Sequence, residues 1–473
     1  MRRTGPLDAA FFGLEASGHP LHGMAVMLLD PATVPGGYSF GRLRSFIDSR
    51  LPGIPPLRQR LVPAPLGLAR PGWVDSQVDV RAHVFRHVRT GGTLADVASF
   101  AASVASTPLD RAKPLWEMHV VEGLKDGRIA IVAKVHHSLM DGVAGMDFMA
   151  SMFSLRPRAG AVAEADGGTT RVPGPLATAA LAVPDLVTAP LRAARAIAGS
   201  VQGAWRLGRS ARQQGPLRLP RPPRIRWNGD LGDRRTMALA SLPLAEVKAV
   251  GRATGSTVND VVMSVIGGAC RSYLVERGEL PSSSLVAVVP VSTHAGGDHS
   301  RAANAVSIML SPLGTDVGDP AQRLLVVHEA MVQAKRLHDA LGAATLAEWV
   351  AVPSPLVMSA VARAYLGMHV ARYAPAVANL LVSNVPGPPV PLYFGGARLV
   401  GLYPLGPVYD GVGLNITVVS CTDSLGFGLV SSPAVIDDLG ALASGIADEF
   451  GSLLRAYEMP SQTRISGTVA VAS

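Results

Sequence analysis

Two adjacent histidines are the residues of this chain best placed to do chemistry. His136 and His137 end an apolar run and are followed by Asp141 and Gly142 in the stretch AKVHHSLMDGVAG, residues 133–145. Histidine suits general-base work on a hydroxyl group because its unperturbed pKa lies close to neutral pH. Asp141 could orient the ring of His137 or hold the turn by bonding elsewhere, and Gly142 would let the chain bend away. Paired histidines beside a carboxylate could also be a metal site, or be hydrogen-bonded within a strand.

The sequence shows no further ligands that would make this histidine pair a metal site. A catalytic zinc ion usually has three protein ligands and one open position, and neither an HExxH motif nor a cysteine cluster occurs in the sequence. The two cysteines, Cys270 and Cys421, lack metal-ligand spacing and are too few for a disulfide framework. We therefore predict no metal, no cofactor and a reducing, cytoplasmic environment.

A β-hairpin is predicted to position the histidines. The segments WEMHVVEGL (116–124) and RIAIVAKVHH (128–137) have the composition of strands and are joined by the turn residues KDG. The hairpin would bring the sequence PLW (114–116) beside the histidines. The predicted pairs of opposite residues are Glu122 and Arg128, Pro114 and His136, and Trp116 and Lys134.

Strand alternation separates the two histidines. Successive side chains point to opposite faces of a strand, so His137 shares a face with four apolar residues, whereas His136 shares the other face with Lys134. The protein interior should therefore set the environment of His137, which we predict as the general base, with His136 in a supporting role. The four apolar residues are Ile129, Ile131, Ala133 and Val135.

Composition and patterning indicate two domains of the α/β class. Of the 473 residues, 48% are hydrophobic and 16% are charged, so we expect a well-buried globular protein. Two halves with alternating strand and helix patterns flank a Gly-, Pro- and Arg-rich passage. The predicted divisions are an N-terminal domain (1–155), a connector with helical pieces (156–234), a C-terminal domain (235–460) and a flexible tail (461–473).

Two helices have clear start signals in the sequence. TLADVASFAASVAS has apolar residues at helical spacing, and Thr93 and Asp96 form a capping-box-like start. STVNDVVMSVIGGACRSYL continues the same spacing for longer, with Thr257 as the N-cap and Asp260 in the first turn. The segments SLVAVVPVS, NLLVSNVPGPP and GLNITVVSC are predicted as strands of the C-terminal half.

The net charge of +8 is concentrated in the connector, where nine arginines and no acidic residue lie between Arg192 and Arg226. Such a stretch beside helix-like apolar sequence can bind anionic lipid headgroups, at about 1 kcal/mol per basic residue near the surface. A solvated linker is the alternative, and no recognised nucleic-acid-binding module accompanies the arginines. We see neither a signal-peptide pattern nor a membrane-spanning segment. We expect peripheral contact with the inner face of the membrane or with lipid droplets.

The histidine motif and several further segments together resemble one family. HHxxxDG resembles the signature of the coenzyme-A-dependent acyltransferase superfamily, which includes the bacterial wax ester synthase/diacylglycerol acyltransferases and the condensation domains of nonribosomal peptide synthetases. The other segments favour the first branch and follow its order over nearly the whole chain. They are PLDAAFFGLE (6–15), PPLRQRLV (55–62), PLW (114–116), NDVV (259–262), VPVS (289–292), SNVPGP (383–388), GLNIT (413–417) and FG (427–428).

The resemblance implies two similar chloramphenicol-acetyltransferase-like domains with the active site in a tunnel between them. It implies acyl-CoA-dependent esterification of diacylglycerol, or of long-chain alcohols, to triacylglycerol or wax ester, with acyl-CoA as a substrate and no acyl-enzyme. His137 would be the general base, and Asp141 would keep the loop and imidazole in place. Asn259 and Asp260 could also be only a helix N-terminus. The residues expected to bind substrate are Gly142, Trp116, Asn259, Asp260, Ser383 and Asn384.

Two other functions stay open from the sequence. A stand-alone condensation enzyme would use acyl groups tethered to a carrier protein, and a non-catalytic relative would bind lipid or a membrane surface. The intact His-Asp-Gly spacing disfavours the non-catalytic relative. Departures from the family pattern occur at His294, at Ala303 and in the segment 420–425. They bear on the acceptor pocket rather than on the histidines, so triacylglycerol and wax ester both remain possible products.

Overall fold

A computed structural model describes residues 2–15, 20–64, 70–139, 148–157, 219–292, 306–341 and 355–459, with a few isolated residues between 174 and 209. Before the connector, the strands are β1 (Arg2–Arg3), β2 (His22–Asp30), β3 (Gln59–Val62), β4 (Gly72–Asp75), β5 (Val84–Gly92), β6 (Trp116–Leu124), β7 (Ile129–His136) and β8 (Phe153–Ser154). After it, they are β9 (Thr236–Pro243), β10 (Val286–Ser292), β11 (Val306–Pro312), β12 (Leu380–Val385), β13 (Tyr393–Phe394), β14 (Ala397–Leu405), β15 (Asn415–Cys421) and β16 (Ser424–Ser431). The helices are α1 (Pro6–Glu15), α2 (Phe40–Arg50), α3 (Pro55–Arg58), α4 (Leu94–Ala105), α5 (Leu244–Thr254), α6 (Val258–Glu276), α7 (Pro320–Leu341), α8 (Pro355–Gly367) and α9 (Leu439–Ala456).

Two large sheets define a mixed α/β fold, as predicted. One has seven strands in the order β5-β6-β7-β2-β14-β13-β8, and the other has six in the order β11-β10-β12-β15-β16-β9. In the seven-stranded sheet, β14 pairs antiparallel with β2, although β14 comes from the C-terminal half of the chain. The predicted division at residue 235 is therefore a boundary along the sequence only. In space, residues 393–405 belong to the same sheet as the strands of the first half.

The two sheets meet where β14 passes over β16. Glycines occupy two alternate positions of β16, and a Cβ atom on either would overlap a backbone oxygen of β14: Leu402 O at Gly426 and Pro404 O at Gly428. Apolar residues of β2, β7 and α4 share one continuous core with the six-stranded sheet. One face of β7 is thus buried against α4 and the second half of the molecule.

Both predicted helix starts are confirmed. Thr93 caps α4 and Thr257 caps α6, and each forms a complete capping box with the aspartate three residues later. These signals could be read from the sequence because the hydrogen bonds of a cap involve only neighbouring residues.

The hairpin of β6 and β7 forms, but its predicted register is wrong by one residue. Gly127, with a φ of 73°, donates its backbone N–H to Leu124 O and closes the turn one position later than expected. Trp116 consequently faces Val135 rather than Lys134. The backbone N–H of His136 donates to the carbonyl of Leu115 rather than facing Pro114. The PLW segment still lies beside the histidines.

Most of the connector lies outside the described residues, but its final segment, residues 219–234, is described. The guanidinium of Arg224 donates to the backbone carbonyls of Ala371, Arg372 and Ala374. This arginine therefore holds the connector against the segment after α8. Its guanidinium is engaged by hydrogen bonds within the protein. Among the described residues, no helix is both long and apolar enough to cross a bilayer.

Candidate active site

Helix α1 presents three side chains to the histidines at the end of β7. The ring of Phe12 stacks on His136 with centroids 4.4 Å apart, and the ring of Phe11 stacks on His137 at 4.7 Å. Glu15 Oε2 lies 3.2 Å from His136 Nε2. Residues 11, 12 and 15 fall on one face of a helix because three and four residues make about one turn.

His136 is enclosed and has hydrogen-bond partners at both ring nitrogens. Its exposed fraction is 1%. Nδ1 accepts the backbone N–H of Ser138 at 3.1 Å and lies 2.6 Å from Ser138 Oγ. Because Nδ1 accepts from a backbone N–H, we assign the ring proton to Nε2, which donates it to Glu15.

Glu15 is the centre of a buried polar cluster. Its Oε2 accepts from Arg111 at 2.7 Å, and its Oε1 lies 3.5 Å from His22 Nε2. Burial alone would raise the pKa of Glu15, but its contacts with His136, His22 and Arg111 hold that pKa far below its usual range. Glu15 is therefore a permanent negative charge behind the histidine turn.

His137 lies just past the strand, in the 3-10 turn His137–Leu139. Its backbone N–H donates to Leu21 O at 3.0 Å. The side chain is half-buried, and Nδ1 has no hydrogen-bond partner within the described part of the chain. Burial, and then the neighbouring His136, lowers the pKa of His137 to about 4. The ring is consequently neutral at pH 7 and can accept a proton.

The predicted face assignment of the histidines is wrong. Every residue of β7 is buried, and His137 lies beyond the strand, so alternation does not place its side chain. On the face predicted to be less enclosed, the Nζ of Lys134 is buried and donates to the carbonyls of Val104 and Thr107. Burial lowers the pKa of Lys134 to about 8. His136 is thus as enclosed by the protein as any residue on the apolar face.

Two residues of the motif, Asp141 and Gly142, lie outside the described residues, so their roles remain predictions. Within the described chain, no group of three His, Cys, Asp or Glu side chains is arranged to hold a metal ion. Cys270 and Cys421 are both free and buried. Burial raises the pKa of Cys270 to about 12, which makes its thiol a poor nucleophile at neutral pH.

Trp116 is a core residue at the start of β6. It is 1% exposed, and its Nε1 donates to the carbonyl of Leu57 at 2.8 Å. Its ring stacks on His83, with centroids 4.5 Å apart. Trp116 therefore has almost no exposed surface, and its predicted contact with substrate stays a prediction.

Three of the other predicted residues meet at the start of α6. The amide Nδ2 of Asn384 on β12 donates to Asn259 Oδ1 at 3.2 Å, and the preceding Ser383 is half-buried. Asp260, 3% exposed, accepts the N–H of Thr257 at 2.9 Å as the helix cap requires. The reading of Asp260 as part of a helix N-terminus is confirmed, while substrate binding by these residues stays a prediction.

The sequence did not reveal several residues that contact the histidines or the start of α6. Glu15, Phe11 and Phe12 belong to a segment that carried the family resemblance, but no role was assigned to them. His22 lies directly opposite His136 in the pairing of β2 with β7, so that pairing would have revealed it. His328, whose Nδ1 is 2.9 Å from Asp260 Oδ2, comes from α7 and has no signal in the sequence near α6.

Two family models match the chain. The model described as the wax ester synthase/diacylglycerol acyltransferase catalytic domain matches residues 5–262, and the one described as the WS/DGAT C-terminal domain matches residues 302–454. A putative diacylglycerol O-acyltransferase of Mycobacterium tuberculosis is 35% identical over 96% of this chain and 90% of its own length. A probable diacylglycerol O-acyltransferase of the same species is 33% identical over 95% of this chain and 98% of its own.

Solved structures agree with this relationship. The wax ester synthase/diacylglycerol acyltransferase from Marinobacter aquaeolei VT8 has a TM-score of 0.68 and 28% identity, covering 97% of this chain and all of that one (100%). The first condensation domain of the calcium-dependent antibiotic synthetase has a TM-score of 0.55 at 16% identity over 100% of this chain and 99% of its own, a likeness of fold alone.

The fold and the matched domains together define an acyltransferase. The chain belongs to the wax ester synthase/diacylglycerol acyltransferase family, which confirms the resemblance found in the sequence.

Proposed function

We propose that the protein transfers the acyl group of acyl-CoA to the hydroxyl group of diacylglycerol, and that long-chain alcohols are also acceptors. The products would be triacylglycerol or wax ester and free CoA. The names of its relatives support these substrates. The observation that carries the proposal is His137, a half-buried imidazole that burial holds neutral at pH 7. A neutral imidazole has a nitrogen lone pair with which a general base can accept a proton.

In this mechanism His137 accepts the acceptor's hydroxyl proton as the oxygen attacks the thioester carbonyl. The new C–O bond forms, the C–S bond breaks, and the imidazolium returns the proton to the CoA thiolate. Protons therefore balance, and no acyl-enzyme is needed. Burial makes His137 a weak base, with a pKa of about 4, so proton transfer has to accompany bond formation rather than precede it.

Supporting roles go to residues around the base. Asp141 would orient the imidazole, and Gly142 would leave room for substrate beside it. The Asn259–Asn384 pair and Ser383 would contribute polar groups to a tunnel between the two halves. The hydrogen bond between the two asparagines supports this grouping, because it joins two segments that the family resemblance had singled out separately.

We also propose that the reaction needs neither a metal nor a cofactor, because the thioester is already activated and requires only a base. The acceptor and the product are insoluble in water, which favours work at the inner face of the membrane or on lipid droplets. The connector arginines support this location. So do the exposed apolar side chains of Val361 within α8 and of Met368 and Tyr373 after it.

Product analysis tests the proposal. Purified protein would be incubated with radiolabelled palmitoyl-CoA alone, with diacylglycerol or with hexadecanol, and the lipids separated by thin-layer chromatography. We expect labelled triacylglycerol and labelled wax ester only in the reactions with the corresponding acceptor. Label that remains in acyl-CoA, or appears only as free fatty acid, would refute the proposed transfer.

A further inference from the structure

The carboxylate of Glu15 contacts the ring of His136 directly and is linked to the backbone of His137 through Leu21. We propose that Glu15 is a positioning residue of the acyltransferase site, which fixes His136 as its Nε2–H tautomer and thereby shapes the turn that carries His137. The inference rests on the proposed function insofar as His137 is taken to be the base. Glu15 itself touches neither His137 nor a reacting atom in this account.

The first connection runs through the ring of His136. Glu15 Oε2 accepts from Nε2 at 3.2 Å, and Nδ1 accepts the backbone N–H of Ser138 at 3.1 Å. In the other neutral tautomer, the Nδ1–H would face the Ser138 N–H and this bond would be lost. A carboxylate can only accept hydrogen bonds, so Glu15 selects the tautomer that keeps Ser138, and the turn beginning at His137, in place.

The second connection runs through the backbone of Leu21, the residue before β2. Glu15 Oε1 accepts the N–H of Leu21 at 3.4 Å, and the carbonyl of Leu21 accepts the N–H of His137 at 3.0 Å. The same carboxylate therefore holds the side chain of one histidine and, through one residue, the main chain of the other. Residues that orient an imidazole in this way commonly matter as much as the groups they support.

The charge of Glu15 is balanced by its surroundings. Arg111, His22 and His136 face its oxygens, and buried Lys134 adds positive charge nearby. A glutamine at this position would keep the shape but could either accept from or donate to His136. Glu15→Gln therefore removes the selection of the tautomer while disturbing the packing little.

Glu122 provides a matched control for this substitution. Its side chain is 13% exposed against 10% for Glu15, and it accepts from Arg86 at 2.8 Å and from Tyr38 at 2.6 Å in the same half of the molecule. We expect Glu15→Gln to lower kcat for CoA release about 10- to 100-fold with little change in KM for acyl-CoA. Glu122→Gln should leave kcat within about 2-fold of the wild-type value, whatever its effect on stability.

Nitrogen-15 NMR of histidine-labelled protein reads the tautomer directly, with His136 assigned from the spectrum of His136→Gln. We expect wild-type His136 to carry its proton on Nε2 alone and Glu15→Gln to lose this pattern. A wild-type His136 protonated on Nδ1, a folded Glu15→Gln protein with unchanged kcat, or an equal loss in Glu122→Gln would overturn the proposal. The NMR measurement needs no substrate, so absence of transferase activity in the wild type would refute the proposed function separately.

Discussion

At the scale of single residues, the two adjacent histidines have opposite environments. His136 has partners at both nitrogens, whereas His137 packs against Phe11 and keeps Nδ1 without a partner in the described chain. Enzymes often divide roles between two similar groups by giving them different surroundings. Here the fully bonded ring of His136 is suited to support, and the half-buried, neutral ring of His137 is suited to proton transfer.

The lowered pKa of His137 predicts how activity depends on pH. A base works in its deprotonated form, and burial favours the neutral imidazole, so protonation should begin only as the pH approaches about 4. We expect kcat/KM for CoA release to stay level from about pH 8 to about pH 5.5 and to fall below that. A midpoint near the ordinary histidine pKa of about 6.5 would contradict this account.

This experiment needs a stability control. Because the folded-state pKa of His137 is lower than that of an unfolded histidine, the unfolded chain binds the proton more readily below about pH 6.5. Stability should therefore decrease as the pH falls toward 4. Circular dichroism at each pH would separate unfolding from loss of the base.

The proposed absence of a metal makes a second prediction at this scale. Treatment with EDTA followed by dialysis should leave the rate of acceptor-dependent CoA release unchanged, because no step of the proposed mechanism uses a Lewis acid. Elemental analysis of the dialysed protein provides the control. Activity lost on chelation and restored by Zn²⁺ or Mg²⁺ would show that a metal is required.

At the scale of helices and strands, close approach between sheets sets a strict requirement at β16. A Cβ atom on Gly428 would overlap the backbone oxygen of Pro404, and backbone cannot move aside as a flexible side chain can. We expect Gly428→Ala to lower the free energy of unfolding by about 1–3 kcal/mol, as overpacking usually does. Denaturant unfolding would measure this change.

A strand glycine with space around it is the matched control. At Gly23 in β2, an added Cβ would lie 3.9 Å from the nearest backbone oxygen, which is an ordinary contact. Gly23→Ala should therefore unfold at nearly the wild-type denaturant concentration. Equal stability of the Gly23 and Gly428 variants would mean that the sheets do not meet as described.

Local features of these elements could be predicted from the sequence, and long-range features could not. The capping boxes at Thr93 and Thr257 depend on residues three positions apart, so their signals are complete within a short segment. The hairpin register failed because a turn closed by Gly127 shifts every pair by one residue. The contact of Glu15 with His136 spans 121 positions and arises only from tertiary packing.

At the scale of the whole molecule, the two halves share a sheet rather than standing apart. The position of β14 beside β2 could not be predicted from the sequence, because an apolar strand pattern does not indicate which strand it will pair with. This arrangement fixes the halves relative to each other. It fits an active site that draws the histidines from the first half and polar residues such as Asn384 from the second.

The connector arginines predict salt-sensitive binding to membranes. Replacement of Arg206, Arg212, Arg218 and Arg221 by glutamine should reduce co-sedimentation with anionic vesicles, and wild-type binding should weaken with salt because surface charges are screened within about 10 Å at 0.1 M. Arg224→Gln is the control, since Arg224 is bound to backbone carbonyls. Binding indifferent to salt, to anionic lipid and to the four substitutions would identify the connector as a plain linker.

The most direct test of the central claim is acceptor-dependent release of CoA from palmitoyl-CoA, followed by thiol detection in wild-type and His137→Ala proteins. We predict thiol release that requires diacylglycerol or a long-chain alcohol and is about 10²- to 10⁴-fold slower in His137→Ala at equal folded yield. Thiol release at the wild-type rate from His137→Ala would contradict the role of His137 as the base. Consumption of an acyl group only when it is attached to a carrier protein would contradict the choice of acyl-CoA as donor.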